Sequence, residues 1–525
     1  MTERLPGKWT IAPLAELCQK IVDGSHNPPQ GEPSGVPMLS ARNVNNCRIV
    51  FDDFRYISKE AFVTEHARTK ISAGDVLLTI VGTIGRAAIV PEATEPFALQ
   101  RSVAVLKPIA LTPQFCMYQL QSPDVQRQLT NQSRGTAQKG VYLRLLGQIE
   151  LRVAPIPEQR RIVAEIEKQF TRLDAAVVAL KRIQVNLKRY RTAILKAACE
   201  GRLVPTEAEL ARREGRFYEP ASELLEKTSI EHRSRWEAAQ LSKFAAINKE
   251  PPKGWKVKYK EYVLPKVASL PILPVGWCWS KLSNLIPADR GSVKTGPFGS
   301  LLKKHEHQSD GVPVFGIENI DRMRFLRGSK IHISGKKAKE LADYDARPGD
   351  VLISRSGTVG EVCVVPAGIG DARISTNLMR IRLARQAMIP EFFGLLFNGH
   401  PHVLNQVSEL CSGSTRNFLN NYILMALVFP LPPLSEQKRI VSEVERRTSV
   451  IEETEAEIQA SLNRAARLRQ AVLKRAFEGK LVLQDSNDEP ASALLERIRA
   501  AHTTMYKSAP AAPVRRRKKE TTHAA

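Results

Sequence analysis

Three short stretches of this 525-residue chain carry residue types at spacings that could do chemistry. Asn27-Pro28-Pro29-Gln30 resembles the N-P-P-aromatic motif with which amino-methyltransferases hold an extruded base. That motif needs an aromatic ring at its fourth position for stacking. Gln30 offers none, and no glycine-rich cofactor loop follows a strand nearby. Gly82-Thr83-Ile84-Gly85 and Gly357-Thr358-Val359-Gly360 could cradle a phosphate, but a complete phosphate loop continues into Gly-Lys-Ser/Thr. Neither copy does, and Arg86 follows one where Glu361 follows the other, so a tight turn between two strands is expected. His305 and His307, with Glu306 between them, lack further ligands at fitting spacing and read as a solvated loop. No catalytic residue, metal site or bound cofactor is expected in this chain.

What remains is the chemistry of recognition. Base edges are read by side chains that donate or accept in pairs, Arg or Lys on guanine and Asn or Gln on adenine. Phosphates are held by Lys, Arg, Ser or Thr, which position without specifying. In the first part of the chain the candidates are Ser25, His26, Asn27, Arg42, Asn43, Arg101, and Ser133, Arg134, Thr136, Gln138 and Lys139 of one polar loop. In the second they are Lys294, Lys303, Lys304, Asn319, Arg355, Ser356, Asn377, and Ser414, Thr415, Arg416 and Asn417 of a corresponding loop. The alternative for each is a plain solvated surface position.

Composition supports a polyanionic partner. The net charge is +24, and only part of it sits in the tail Arg515-Arg516-Arg517-Lys518-Lys519, which reads as disordered. Nucleic acid is the expected partner, over a basic surface that serves solubility alone. No run of about 18 apolar residues occurs and the N-terminus has no apolar signal region, so the chain reads as cytoplasmic, with no membrane partner. Seven scattered cysteines without a C-x-x-C pair argue against a disulfide framework or a zinc cluster.

Two long helices must position these candidates. From Pro155 to Val204 the apolar residues Ile162, Ile166, Phe170, Leu173, Val177, Leu180, Ile183, Leu187 and Ile194 are spaced by threes, fours and one seven, which keeps one face apolar. About 40 residues at about 1.5 Å each make a rod of about 60 Å, too narrow in its stripe for an ordinary core. It needs a partner helix. A second such stretch, about Ser435–Phe477, carries Ile440, Val444, Ile451, Ile458, Leu462, Leu468 and Val472.

The two stretches belong to a duplication. Gly74–Gly85 matches Gly349–Gly360 at seven of twelve positions. Gly35-Val36-Pro37 returns as Gly311-Val312-Pro313, Glu158-Gln159 as Glu436-Gln437, and Pro220–Glu226 (PASELLE) as Pro490–Glu496 (PASALLE). The offset stays between 270 and 278, so a whole unit is repeated. An antiparallel pairing of the two helices within one chain is the economical packing, with a long linker to return the chain. The alternative is that each helix packs only on its own domain.

Before each helix, β-rich runs such as Val36–Leu39, Val76–Val81, Ala87–Val90 and Ser102–Leu106 predict a mixed, mainly β domain, with a helix near Pro113–Gln132. The expected division is 1–157 and 273–434 for these domains, 158–204 and 435–482 for the helices, 205–272 for a charged linker with a short helix capped by Ser222, and 483–525 for a C-terminal segment with the basic tail.

Here a resemblance becomes specific. Pro430-Leu431-Pro432-Pro433-Leu434-Ser435-Glu436-Gln437 and Val472-Leu473-Lys474-Arg475-Ala476-Phe477-Glu478-Gly479-Lys480-Leu481 resemble the motifs that open and close the long helices of type I restriction-modification specificity subunits. Thr295-Gly296-Pro297-Phe298-Gly299-Ser300 is also typical of that family. The first copy departs from the pattern, with the shorter Pro155-Ile156-Pro157-Glu158-Gln159 and with Cys199 in place of the phenylalanine. The resemblance covers about residues 5–485. It implies an α+β fold in which two similar target-recognition domains are separated by an antiparallel coiled-coil pair, with a pseudo-twofold internal repeat. It further implies a non-catalytic subunit that reads an asymmetric bipartite DNA site. Such a subunit docks two modification subunits that methylate adenine with S-adenosylmethionine, and restriction subunits that use ATP and Mg. The alternatives are a stand-alone tandem-domain DNA-binding regulator and a fragment of a fused restriction-methylation enzyme.

Overall fold

The computed structural model describes residues 5–135, 139–259, 261, 265–287, 291–298, 300–321, 323–411 and 419–508. The chain forms two compact units, Met1–Lys181 with Ile458–Ala525, and Arg182–Glu457.

In the first unit Cys18–Asp23, Val103–Pro108, Val76–Thr79 and Ala87–Ile89 form an antiparallel sheet in that order. Val76, Leu78, Ala104 and Leu106 enter one core, and Leu77, Val103 and Val105 the other. Both faces are covered, which is why these strands are continuous apolar runs rather than alternating ones. A second sheet sets Val36–Leu39 antiparallel to Arg55–Ile57 and parallel to Ala98–Leu99. The second unit repeats this topology. Val293–Thr295, Leu378–Ile381, Val351–Ser354 and Val362–Val364 form its four-stranded sheet, and Ile331–Ile333, Val312–Phe315 and Arg373–Ile374 its three-stranded one. The internal repeat read from the offset is therefore a repeat of fold.

The expected helix near Pro113–Gln132 is two helices, Pro113–Leu120 and Pro123–Gln132. Pro123 lacks an N–H to continue the first and is well placed to open the second.

The long helices run Ile156–Cys199 and Leu434–Phe477, 44 residues each, about 66 Å at the usual rise. Each is followed by a left-handed glycine, Gly201 at φ 69° and Gly479 at φ 70°, which ends the helix without a Cβ penalty. Their antiparallel pairing is visible inside each unit. In the first, Ile162, Ile166 and Phe170 share a core with Leu473, Ala476 and Phe477, while Asp174 further along pairs with Arg469 further back. In the second, Ile194 and Cys199 share a core with Ile440 and Val444, and Arg191 lies 3.6 Å from Glu452 and 3.7 Å from Glu455. The expected seam needs two corrections. Ile183 is 44% and Leu468 48% exposed. The half-buried line on the first helix instead runs through Val177, Leu180, Gln184 and Leu187, and Leu473 is buried on the second. A narrow seam admits one residue in three or four, so a neighbour one step around faces solvent.

The helix starts are clamped by the Glu-Gln pair. Gln159 Nε2 donates to Ala110 O at 3.2 Å and Ala154 O at 2.9 Å, and its Oε1 accepts from Thr112 N at 2.8 Å. Gln437 makes the same three bonds with Ala387 O, Pro432 O and Ile389 N. Glu436 accepts from Trp277 Nε1 and Glu207 N, both at 2.8 Å, and burial pushes its carboxyl above the usual range despite those donors.

Residues 205–272 are more than a charged linker with a short helix. Glu207–Glu214 and the 26-residue helix Ala221–Ala246 lie there, with Ala221 and Leu225 in the second unit's core. Pro220 occupies the cap position, so Ser222 lies inside the helix and does not cap it. Ala491–Ser508 is the counterpart helix in the first unit; the basic tail at 515–519 lies outside the described residues. Among the described residues no helix is long and apolar enough to cross a membrane.

One buried charge network distinguishes the second unit. Arg380, 2% exposed, meets Asp345 Oδ1 at 2.5 Å, and Arg382 bridges Asp345 at 2.8 Å and Asp350 at 3.0 Å. Burial raises the Asp345 carboxyl, but the Arg382 hydrogen bond and the charges of Arg380 and Arg382 outweigh it and hold the pKa below the usual value. A lowered folded-state pKa means stability that is present above about pH 4 and lost as pH falls through the folded value. Asp345→Asn is expected to cost about 3 kcal/mol at pH 7, because Arg380 is left buried with its main partner neutralised. Urea unfolding should show that gap from wild type narrowing as pH falls from 6 to 3. A gap independent of pH would show that Asp345 stabilises by shape alone.

Candidate nucleic-acid interface

At one edge of each four-stranded sheet the same set of loops converges. In the first unit Ser25 N donates to Leu99 O at 2.7 Å, Arg101 N to Ser25 O at 2.9 Å, and Ile80 N to Ser102 O at 2.9 Å. Gly82 N donates to Lys139 O at 3.2 Å and Val141 N to Ile80 O at 2.8 Å. The rim therefore gathers the 24–27 loop, the 81–85 turn, the 100–102 turn and the chain around Lys139–Tyr142. In the second unit Gly296 N donates to Leu378 O at 2.9 Å, Thr376 Oγ1 to Pro297 O at 2.6 Å, Arg355 N to Asn377 O at 3.0 Å, and Leu419 N to Arg355 O at 3.2 Å. Ser356 Oγ lies 2.9 Å from Asn377 Oδ1. Equivalent loops thus build equivalent rims.

Glycine permits the close approach. A Cβ on Gly24 would lie 2.1 Å from Leu99 O, and one on Gly296 would lie 1.9 Å from Ser375 O. No side chain fits there. The 82–85 and 357–360 stretches are the strand-to-strand turns of these rims, each with glycines at positive φ.

Among the sequence candidates, His26, Asn27, Arg101, Arg134, Lys139 and Asn377 stand exposed on the rims. His26 Nε2 is 2.7 Å from Asp23 Oδ2, which orients the ring. Ser133 is half-buried with its Oγ on Thr130 O at 2.7 Å. Arg42 is exposed and ion-paired with Asp53, on a turn joined to the rim by Ala41 N donating to Ser102 Oγ at 3.0 Å.

Others are corrected. Asn43 and Asn319 are 1% exposed and spent on the backbone. Asn43 accepts from Ser40 N and donates to Val50 O and Asp52 O; Asn319 accepts from Gly316 N and donates to Leu326 O and Gly328 O. They hold a turn together, both amide hydrogens are used, and burial keeps them from a base. Ser25 is buried, its Oγ 2.9 Å from Glu65. Arg355 is 8% exposed beneath the rim, its guanidinium 5.8 Å from the Phe298 ring, and burial lowers its pKa from the ordinary value. Lys294 is turned to Asp343 and Tyr344, at 3.0 and 4.9 Å. Lys303 and Lys304 are exposed at the short turn Lys304–Glu306, outside the contacts that build the rim. Thr136, Gln138, Ser414, Thr415, Arg416 and Asn417 lie outside the described residues.

The rims also contain residues that the recognition code alone passes over. Phe298 is 60%, Tyr142 69% and Tyr422 85% exposed, and Asn421 Oδ1 accepts from Thr295 Oγ1 at 3.0 Å. Aromatic rings can stack on bases or touch a thymine methyl. The repeat was the available signal, since it sets Phe298 opposite His26 and Asn377 opposite Ser102.

Known proteins resemble this chain over most of its length. The chain is 23% identical over 521 residues to the type I restriction enzyme EcoKI specificity subunit of Escherichia coli (strain K12), covering 95% of this chain and 96% of that one. It is 23% identical over 376 residues to the EcoBI specificity subunit of Escherichia coli, covering 69% and 66% respectively, so the match spans just under two thirds of that relative. A chain from a solved structure concerned with assembly and conformational transition of the type I R-M system superposes with a TM-score of 0.58 at 20% identity, covering 91% of this chain and 99% of that one. The model of the type I restriction modification DNA specificity domain matches residues 6–185 and again 280–464. The chain belongs to that family: it is a type I restriction-modification DNA-specificity protein with two target-recognition domains.

Proposed function

We propose that this protein is the sequence-reading subunit of a type I restriction-modification complex, each rim reading one half of an asymmetric bipartite site on double-stranded DNA. The observation that carries this is the construction of two rims from equivalent loops with different exposed side chains, His26 and Arg101 on one, Phe298 and Asn377 on the other. Shared loops give a common approach to DNA, and different side chains give different half-sites. The long helices set the length of the unread gap and dock two modification subunits. Restriction subunits join that complex. Catalysis lies with those partners, which use S-adenosylmethionine, ATP and Mg, while this chain binds none of them and works in the cytoplasm.

The test is co-expression with the candidate modification subunit, followed by mapping of methylated adenines across the host genome. A bipartite motif with a fixed gap is expected, and no methylation, or a contiguous palindrome, would refute the reading. One heptad inserted in each long helix should lengthen the gap by about three base pairs, from about 10.5 Å of added helix, and leave both half-sites unchanged. Altered half-sites with an unchanged gap would rule out the helices as the ruler.

A further inference from the structure

The helix seams of the two units differ at one place. In the first unit the Phe170 ring is buried, 5.7 Å from the Tyr118 ring and 4.1 Å beneath the Arg469 guanidinium, and Arg469 pairs with Asp174. The offset of 278 along the long helices carries Phe170 to Thr448, Arg469 to Arg191 and Asp174 to Glu452. Tyr118 becomes Leu395, since Pro113 and Pro390 begin equivalent helices. The arginine and carboxylate are therefore kept in the second unit, and both rings are lost.

Where those rings would lie, the second unit has an open groove of about 1140 Å³ whose lining includes Arg191, Leu395, Thr448 and Glu452. Among the described residues no aromatic ring covers the Arg191 guanidinium, whose ion pairs are 3.6 and 3.7 Å long. Met323, Val362 and Val444 supply apolar wall. Asp321, Glu361, Glu391 and Glu445 also line it, with no ion pair among the described residues. Lys438, Arg385 and Arg324 line it too, but Arg385 already donates to Pro348 O at 2.7 Å and Arg324 is paired with Glu452, and six carboxylates outnumber the four cations. On a chain of charge +24 this groove is locally acidic. DNA is the wrong occupant for it.

We propose that the groove seats an aromatic side chain, flanked by basic residues, from a modification subunit, and this rests on the assembly role proposed above. The first unit shows what the space accepts: a ring with a guanidinium on its face, an arrangement favoured by cation–π attraction and by apolar burial. The free carboxylates supply the complement for the flanking cations. Because Phe170 fills the equivalent space in the first unit, the two modification subunits meet different surfaces, and only one of them uses this contact.

The experiment compares co-expressed complexes by native mass spectrometry and by mapping of methylated adenine. Wild type and Thr448→Ala, which leaves the groove open, are expected to assemble with two modification subunits. Thr448→Phe, and Leu395→Tyr from the opposite wall, reproduce the first unit's filling. Each is expected to weaken one of the two subunits at least tenfold, to leave mainly one-to-one complexes, and to reduce methylation in one half-site. Glu445→Lys, on an exposed position that fills nothing, should weaken the same subunit and serves if the filled variants melt below wild type. Full two-to-one assembly by all three would overturn the proposal. Loss of self-association with unchanged docking would overturn it in favour of a second copy of this chain as occupant. Failure of wild type to bind any modification subunit would instead remove the assembly role itself.

Discussion

Gln437→Ala is expected to destabilise the unit Arg182–Glu457 by about 3 kcal/mol, with an equal effect of Gln159→Ala on the other unit. Each glutamine is fully buried and makes three hydrogen bonds that join the first turn of a long helix to the loop before a domain helix. Truncation leaves the amide of Ile389 and the carbonyls of Ala387 and Pro432 without that partner in a dry interior, at about 1–3 kcal/mol per unsatisfied group, partly relieved by relaxation. Gln437→Glu keeps the size and the acceptor but loses the amide donor, and it adds a charge beside the buried Glu436, so it should be no better tolerated than alanine. Equilibrium unfolding in urea decides the matter, and the double variant should be additive because the two sites share no partner. A loss below 1 kcal/mol in either single variant would mean that the helix starts are held by apolar packing alone.

These glutamines show why part of the fold was legible in the sequence. A buried amide that satisfies three backbone groups at fixed positions admits few substitutes, so the pair recurred as Glu158-Gln159 and Glu436-Gln437 and marked both helix starts. The turn glycines recurred for a similar reason. The rim was less legible, because polar residue type alone does not separate a base reader from a backbone clamp. Asn43 and Asn319 looked like adenine readers, yet their recurrence at equivalent positions was the sign that they build the frame. A specificity residue should differ between two domains that read different sequences, as His26 and Phe298 do, and Ser102 and Asn377. Tertiary packing decided the remaining misses. Ile183 fits the helical spacing but lies one step around from a seam only one residue wide, and Arg355 looks like a phosphate ligand until burial beneath Phe298 removes it.

Gly296→Ala should therefore abolish recognition of one half-site and spare the other. A Cβ at this position would lie 1.9 Å from Ser375 O and 2.5 Å from Ser375 C, both backbone atoms that no rotamer change can move aside. The chain must back away by more than 1 Å, carrying Pro297 and Phe298 with it and breaking the approach of Thr376 Oγ1 to Pro297 O. The four-stranded sheet and its core lie behind the rim, so the unit should stay folded while its recognition loops lose their placement. Loss of one paired base contact costs about 1–3 kcal/mol. A displaced loop that forfeits a contact worth about 3 kcal/mol lowers methylation of the wild-type site about 150-fold. Gly24→Ala, with its Cβ 2.1 Å from Leu99 O, is the matched variant in the first unit and should strike the other half-site. Mapping methylated adenines in cells that carry each variant tests both together. The two variants should relax or erase opposite halves of the motif, whereas a change in both halves from either one would mean that the two rims do not read independently.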